Sequence, residues 1–234
     1  MRVYIVIKKD YIMSEVNPLQ WVLVRRNVIS QQGLKEIVRH MEDSQKEDLS
    51  IFDAQKSNET GDTHWRTDKE VRDTQIVDHG PLAPKIEELL RNTVKNIINP
   101  FFDIQINESE IPQLLSYGVG GHYQPHIDAE SVWKTPDGEL IWKKSTNRDI
   151  SMVFYLNDGY EGGDFIFPDL GIRVRPEPGM LVAFPSTHLY KHGVEPVRRG
   201  MRYSMVCWAT AKGFPTLEEV NADLSKKYNI KVTN

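Results

Sequence analysis

The sequence predicts a mostly β domain with flanking helices (α+β), a sandwich or barrel rather than repeated strand–helix units, and three observations predict it. From Asp103 onward, short apolar or alternating runs are separated by Gly, Pro, Asn and Asp. Ahead of them lie two stretches with apolar residues at helical spacing, and behind them a third that opens on a capping box. At 234 residues the chain is long enough to bury one core, so a single domain, 1–234, is expected. Within it, 1–100 should form a helical and strand support region, 101–212 the β core, and 213–234 a C-terminal helix and tail.

Taken in order, the run "VYIVI" (Val3 to Ile7) is far too short to span a bilayer and carries no small-residue cleavage site. A soluble, cytoplasmic protein with no membrane partner is the expectation. Ser30 precedes Leu34, Ile37, Val38 and Met41, which predicts an N-capped amphipathic helix over about Gln31 to Asp43. "SQKEDLSIFDAQKSNETGD" is polar without a sustained period and reads as a loop. Pro81 and Pro84 open "KIEELLRNTVKNII", whose Ile86, Leu89, Leu90, Val94, Ile97 and Ile98 trace one face, and Pro100 should end that helix.

The candidate strands are "DIQI", "PQLLSY", "HYQPHID", "DISMVFYLN", "DFIFP", "IRVRP", "MLVAFP" and "RYSMVCWAT". "ESVWKTPDGELIWKKSTN" (Glu130 to Asn147) interrupts them with two tryptophans around a "PDG" turn, an excursion hairpin over the barrel mouth. Thr216 with Glu219 three residues later completes a capping box for a closing helix. The single cysteine, Cys207, lies in an apolar strand and reads as a buried structural thiol. His40, His64 and His79 fall outside the β core and are expected in solvent.

Charge limits the partners. With 29 Lys and Arg against 33 Asp and Glu, the formal balance is -4, so no general cationic field exists to attract a phosphate backbone, and nucleic acid is disfavoured. Lys143–Lys144 and Arg198–Arg199 are short cation pairs, and a solvated face is the default explanation for each.

The chemistry concentrates in "GGHYQPHIDAES". Residues at i and i+2 on a strand share a face, so His126 and Asp128 can converge on one point. His-x-Asp alone is weak, since such a pair is often a surface couple or a hydrogen-bonded one. The later stretch "LYKHGVEPV" offers His192, and two imidazoles with one carboxylate make the facial triad of non-haem Fe(II) oxygenases. Ten residues on, Arg202 sits in an apolar strand on the same side as Ser204, where its fork suits a bound carboxylate; an edge-strand salt bridge is the plain alternative. His122 and His188 compete as ligands or as groups that orient one.

With those residues in view, "YGVGGHYQPHID", "MVFYLNDGYEGGDFIFPD", "PEPGMLVAF" and "KHGVEPVRRGMRYSMVCW" resemble the iron- and 2-oxoglutarate-dependent dioxygenases, most closely their prolyl 4-hydroxylase-like branch. The likeness covers about Leu115 to Thr210. It implies a double-stranded β-helix, a jelly-roll barrel, as the catalytic core over 101–212, with the N-terminal helices packed on it. It further implies Fe(II) held by His126, Asp128 and His192, with His192 preferred over His188 for its spacing to Arg202. Arg202, with Tyr155, Tyr117 and Ser204, would bind 2-oxoglutarate, and Tyr123 and Trp208 match aromatic positions of the pocket. Core packing explains such aromatics nearly as well. Trp133 in the excursion hairpin, and Trp65 with Arg66 in "THWRTDKEVRD", are candidate substrate contacts.

The implied activity is hydroxylation, with O2 consumed, 2-oxoglutarate decarboxylated to succinate and CO2, and ascorbate as the reductant that rescues over-oxidised iron. A peptidyl proline in a peptide or protein is the expected substrate. Two alternatives remain: a hydroxylase of a free amino acid or small metabolite, and a non-catalytic barrel in which metal only stabilises a binding module.

Overall fold

Ser30 starts the first helix as its spacing predicts: its hydroxyl accepts the Gly33 N–H at 3.1 Å, and the helix spans Gln31–Asp43 with Leu34, Ile37 and Met41 buried. The computed structural model describes residues 17–52 and 64–232, so the run Val3 to Ile7 lies outside the described residues. The second helix, Ala83–Thr93, does not stop at Pro100. It passes through a π-turn, Val94–Ile98, into Asn99–Phe102 and ends only at Asp103, whose φ is +50°. In that wider turn the Asn99 N–H bonds to Val94 O, five residues back, which loosens the helix where the proline ring would crowd a regular turn. The third helix, Leu217–Tyr228, has the full capping box between Thr216 and Glu219.

The strands form a double-stranded β-helix, and every pairing among the described residues is antiparallel. The major sheet runs Leu23–Arg25, Leu181–Pro185, Ile150–Tyr155, Arg202–Ala211, Gln113–Tyr117, Gln75–Val77 and Lys46–Asp48, with Ile106–Ser109 also paired to Arg202–Ala211. The minor sheet runs Ile172–Val174, Phe165–Phe167, His192–Val194, His122–His126 and Arg72–Asp73. Part of the segment read as a loop is therefore strand: Lys46–Asp48 pairs with Gln75–Val77, and Ile51–Phe52 with Trp65–Arg66. Edge pairing needs only backbone groups, so a polar sequence can take it. The run "DIQI" contributes only its last residue, because the strand there begins at Ile106.

Period-2 alternation sorts the central strands into two cores. Met152, Phe154, Met205 and Cys207 face the helices and pack with Leu34, Met41, Ile86 and Ile98. Val153, Tyr155, Phe165, Phe167, Val182 and Phe184 fill the space between the sheets. Burial of the Cys207 thiol pushes its pKa up to about 12, in keeping with a structural role. The excursion is a hairpin, Glu130–Lys134 with Leu140–Lys144, and it leans on the C-terminal helix: Trp133 meets the Tyr228 ring at 5.8 Å, and Lys143 donates to Asn221 Oδ1 at 2.7 Å. His40, His64 and His79 are half-buried rather than solvent-exposed, and His40 Nε2 lies 2.7 Å from Asp78 O. No helix among the described residues is long and apolar enough to cross a membrane.

Phe154 has no exposed surface and joins the helices to the major sheet. Phe154→Ala should lower the unfolding free energy by about 3–5 kcal/mol, read as a shift of the denaturant midpoint; a loss within 0.5 kcal/mol, the range typical of surface positions, would mean that the helices do not depend on this face.

Candidate active site

Strand pairing gathers what the sequence holds apart. His126 ends one strand of the minor sheet, His192 begins its neighbour, and the register sets them directly opposite each other. Asp128 follows just beyond the strand end, and one ligand atom from each of the three residues falls within 4.8 Å of the others. His126 Nε2 lies 3.5 Å from Asp128 Oδ1, and His192 Nε2 lies 3.5 Å from Asp128 Oδ2. The far nitrogens fix the tautomers. His126 Nδ1 is 3.0 Å from Gln124 O and His192 Nδ1 is 2.9 Å from Tyr190 O. A carbonyl can only accept, so each Nδ1 donates to it, and each Nε2 is the atom turned to the shared point.

The surroundings keep the group deprotonated. Burial pushes the Asp128 carboxyl up, but His192, His126 and the Ser151 hydroxyl outweigh it and hold the group well below the usual carboxylate range. Ser151 Oγ donates to Asp128 Oδ2 at 2.6 Å and lies 2.8 Å from Ser186 Oγ. His192 is 5% exposed and packed among Phe165, Phe167 and Phe184; that burial lowers its pKa to about 4, so the ring is neutral at pH 7. Two imidazoles and a carboxylate, converging with open space on one side, fit a divalent first-row metal such as Fe(II).

Behind the triad stands Arg202, with no exposed surface. Its Nε donates to Gly163 O and its Nη1 to Ser204 Oγ, both at 3.1 Å, while Nη2 has no partner. The guanidinium lies 4.7 Å from the Tyr117 ring centroid and 5.3 Å from that of Tyr155. The Tyr155 and Tyr160 hydroxyls are also buried without a hydrogen-bond partner, and burial raises the Tyr155 phenol well above its ordinary value, so it stays a neutral donor. Three buried donors lacking acceptors suit a carboxylate. Gly163 makes room for this cluster: its φ is +66°, and a Cβ there would come within 2.8 Å of Arg202 Cδ.

The remaining candidates divide. Tyr123 stacks on His126 with ring centroids 3.6 Å apart, and Trp208 lines the same cavity beneath the Arg148 guanidinium, 3.7 Å over its ring. Trp65, Arg66 and Trp133 do not line it: Trp65 is 65% exposed, Arg66 pairs with Asp68, and Trp133 packs against Tyr228. His122 is held by Gly120 O and Glu70 O; burial pulls its pKa down, but those two carbonyls outweigh it and raise it. His188 is engaged by Glu130 at 2.5 Å and stacked on Trp142, outside the triad.

Sequence reading missed Ser151, Ser186, Tyr160 and Arg72, all in or beside the cavity. Ser151 could have been found by parity, since it shares the face of Val153 and Tyr155 on an otherwise apolar strand.

Residues 112–210 match the family model of the 2OG-Fe(II) oxygenase superfamily. Among curated relatives, prolyl 3-hydroxylase 2 of Rattus norvegicus is 33% identical over 106 residues, 42% of this chain and 15% of that protein. Prolyl 4-hydroxylase subunit alpha-1 of Gallus gallus is 30% identical over 118 residues, 47% of this chain and 22% of that protein. The chain thus spans less than a quarter of the length of either. Among solved structures, a prolyl hydroxylase of Trichoplax adhaerens, in complex with a hypoxia inducible factor peptide fragment, aligns with TM-score 0.57 at 15% identity, covering 82% of this chain and 84% of that one. A prolyl-4-hydroxylase of Pseudomonas putida aligns with TM-score 0.53 at 19% identity, covering 81% and 92%. Residues 112–210 thus match the 2OG-Fe(II) oxygenase superfamily and are similar in sequence to prolyl hydroxylases, and most of the chain shares the fold of the solved prolyl hydroxylases.

Proposed function

We propose that this protein is an Fe(II)- and 2-oxoglutarate-dependent hydroxylase of a peptidyl proline. The observation that carries the reaction class is the pairing of two sets of groups in one cavity: three converging metal donors, and a buried arginine whose Nη2 has no partner. The proline rests on the relatives, which are prolyl 3- and 4-hydroxylases by name.

In this reading His126, Asp128 and His192 hold the metal, and Arg202 with Ser204, Tyr155 and Tyr117 receives the distal carboxylate of 2-oxoglutarate. Fe(II) with 2-oxoglutarate and O2 supplies an oxidative decarboxylation to succinate and CO2 that hydroxylates an unactivated carbon. The chain orients these groups. Ser151 fixes the plane of the Asp128 carboxylate, the carbonyls of Gln124 and Tyr190 fix the imidazole tautomers, and Phe165 and Phe184 keep water from His192. Residues 101–212 form the catalytic core in this reading, the described part of 1–100 supports it, and the helix Leu217–Tyr228 braces the excursion hairpin. Ascorbate is the reductant that keeps the iron ferrous between cycles.

Anaerobic titration of the Fe(II)-loaded protein with 2-oxoglutarate should raise the weak visible charge-transfer band of bidentate chelation, and His192→Ala should abolish it. Iron bound without the band would sink the co-substrate assignment. Arg202→Ala should weaken 2-oxoglutarate binding by about 2–5 kcal/mol; unchanged affinity in the same titration would assign the carboxylate to another clamp. Ser151→Ala should lower Fe(II) affinity by about 10–100-fold while leaving thermal unfolding of the metal-free protein in place. Competition with a chromogenic chelator reads that loss, and an unaltered affinity would show Ser151 to be a bystander.

A further inference from the structure

Arg72 is a cation in the cavity wall for which the described residues supply no carboxylate partner. It sits in the short strand Arg72–Asp73, paired through Tyr123 and His122 to the strand that carries His126. Its residue surface is 9% exposed, it lines the cavity shared by His126, Asp128 and His192, and its Nε is buried without a hydrogen-bond partner. The guanidinium lies over the Tyr123 ring, 4.4 Å from its centroid, and the Tyr123 ring is itself stacked on His126. One aromatic ring therefore separates this cation from the triad.

No resident carboxylate serves Arg72. Asp128 is engaged by Ser151 and the two imidazoles, Asp68 pairs with Arg66, and Asp73 lies 3.7 Å from Lys69. The main-chain oxygen of Glu70 is taken by His122 and Gln124, and Glu110 forms a two-bond pair with Arg148. A ring face attracts the charge but accepts none of the in-plane N–H bonds. Arginine does not shed its proton to escape burial, so the buried Nε lacks an acceptor, and the planar fork it belongs to matches a carboxylate.

We infer that Arg72 binds a carboxylate of the substrate, placed on the Tyr123 side of the metal donors and apart from the Arg202 clamp. The inference rests on the hydroxylase reading only for the word substrate. It restricts the substrate class: the carbon oxidised lies close to a carboxylate, supplied by the acidic side chain of a neighbouring residue or by the free carboxylate of a prolyl end.

The test is calorimetric titration of the Fe(II)-loaded protein, anaerobic and saturated with 2-oxoglutarate so that Arg202 is occupied. Two pairs of probes distinguish the sources: N-acetyl-L-proline against N-acetyl-L-prolinamide, and a blocked Ala-Pro-Glu-Ala peptide against its Ala-Pro-Gln-Ala counterpart. In at least one pair the acid should bind tenfold or more tightly than its neutral partner. Arg72→Gln should shrink that ratio below twofold, and Arg72→Lys should restore part of it. Acid and neutral probes that bind alike, acids that do not bind, or a preference that survives in Arg72→Gln would each overturn the assignment. The comparison on the unaltered protein needs no variant, so a variant that fails to fold does not shelter the idea. The 2-oxoglutarate band is read separately: its failure removes the hydroxylase reading, while the acid preference and its dependence on Arg72 still decide the carboxylate site.

Discussion

The register of one strand buried on both faces governs the molecule. Along Arg202–Ala211, Tyr203, Met205, Cys207 and Ala209 enter the helix-facing core, while Arg202, Ser204, Val206 and Trp208 line the cavity. A slip of one residue would carry the guanidinium among Met41 and Ile98 and bring apolar side chains to the triad. Polar pins at both ends of the neighbouring strand prevent it. Asp149 accepts the Ala211 N–H at 2.9 Å and Lys144 Nζ at 2.6 Å, and Asn157 Oδ1 accepts the Tyr203 N–H at 2.8 Å. Side-chain caps thus do for this strand what a turn does for a hairpin.

What local sequence encodes was legible. Ser30 and the Thr216–Glu219 box mark helix starts because capping is settled within four residues, and alternation marks the barrel strands because parity is a property of the strand itself. Pro100 misled because its cost depends on the turn before it: the π-turn at Val94–Ile98 has no sequence mark comparable to a cap. Lys46–Asp48 became strand only because Gln75–Val77 offers it an edge. Pairing between distant segments is not written in either one.

The site divides along the same line. His126 and Asp128 could be joined by their spacing, but the contact of His126 with His192 is a matter of sheet register across 66 residues; the need for a third ligand nominated His192, and family likeness preferred it over His188. Ser151 and Tyr160 matter through what they face, a carboxylate in one case and the Arg202 cluster in the other, and neither residue type is unusual where it stands. Trp65, Arg66 and Trp133 stood out as large or charged residues near the right segments. The fold turned them outward, toward one another's neighbours, or onto the C-terminal helix.

Net charge and local charge point in opposite directions here, and the difference decides what can enter. The chain totals -4, which argues against a phosphate backbone as partner. Inside the cavity, however, Arg202 and Arg72 stand against a single resident carboxylate, Asp128, which the two imidazoles and Ser151 already engage. Arg148, close by, is offset by Glu110 and contributes no such excess. Low-dielectric walls such as Phe165 and Val194 strengthen the field of an unanswered charge rather than screening it. An anionic molecule therefore meets two cations in this depression, and two arginines on separate sheets give it room for two carboxylates. On this account Arg202 takes one from the co-substrate and Arg72 takes the other from the molecule to be oxidised, so that selection for acidity is built into the barrel wall rather than into the loops at its mouth.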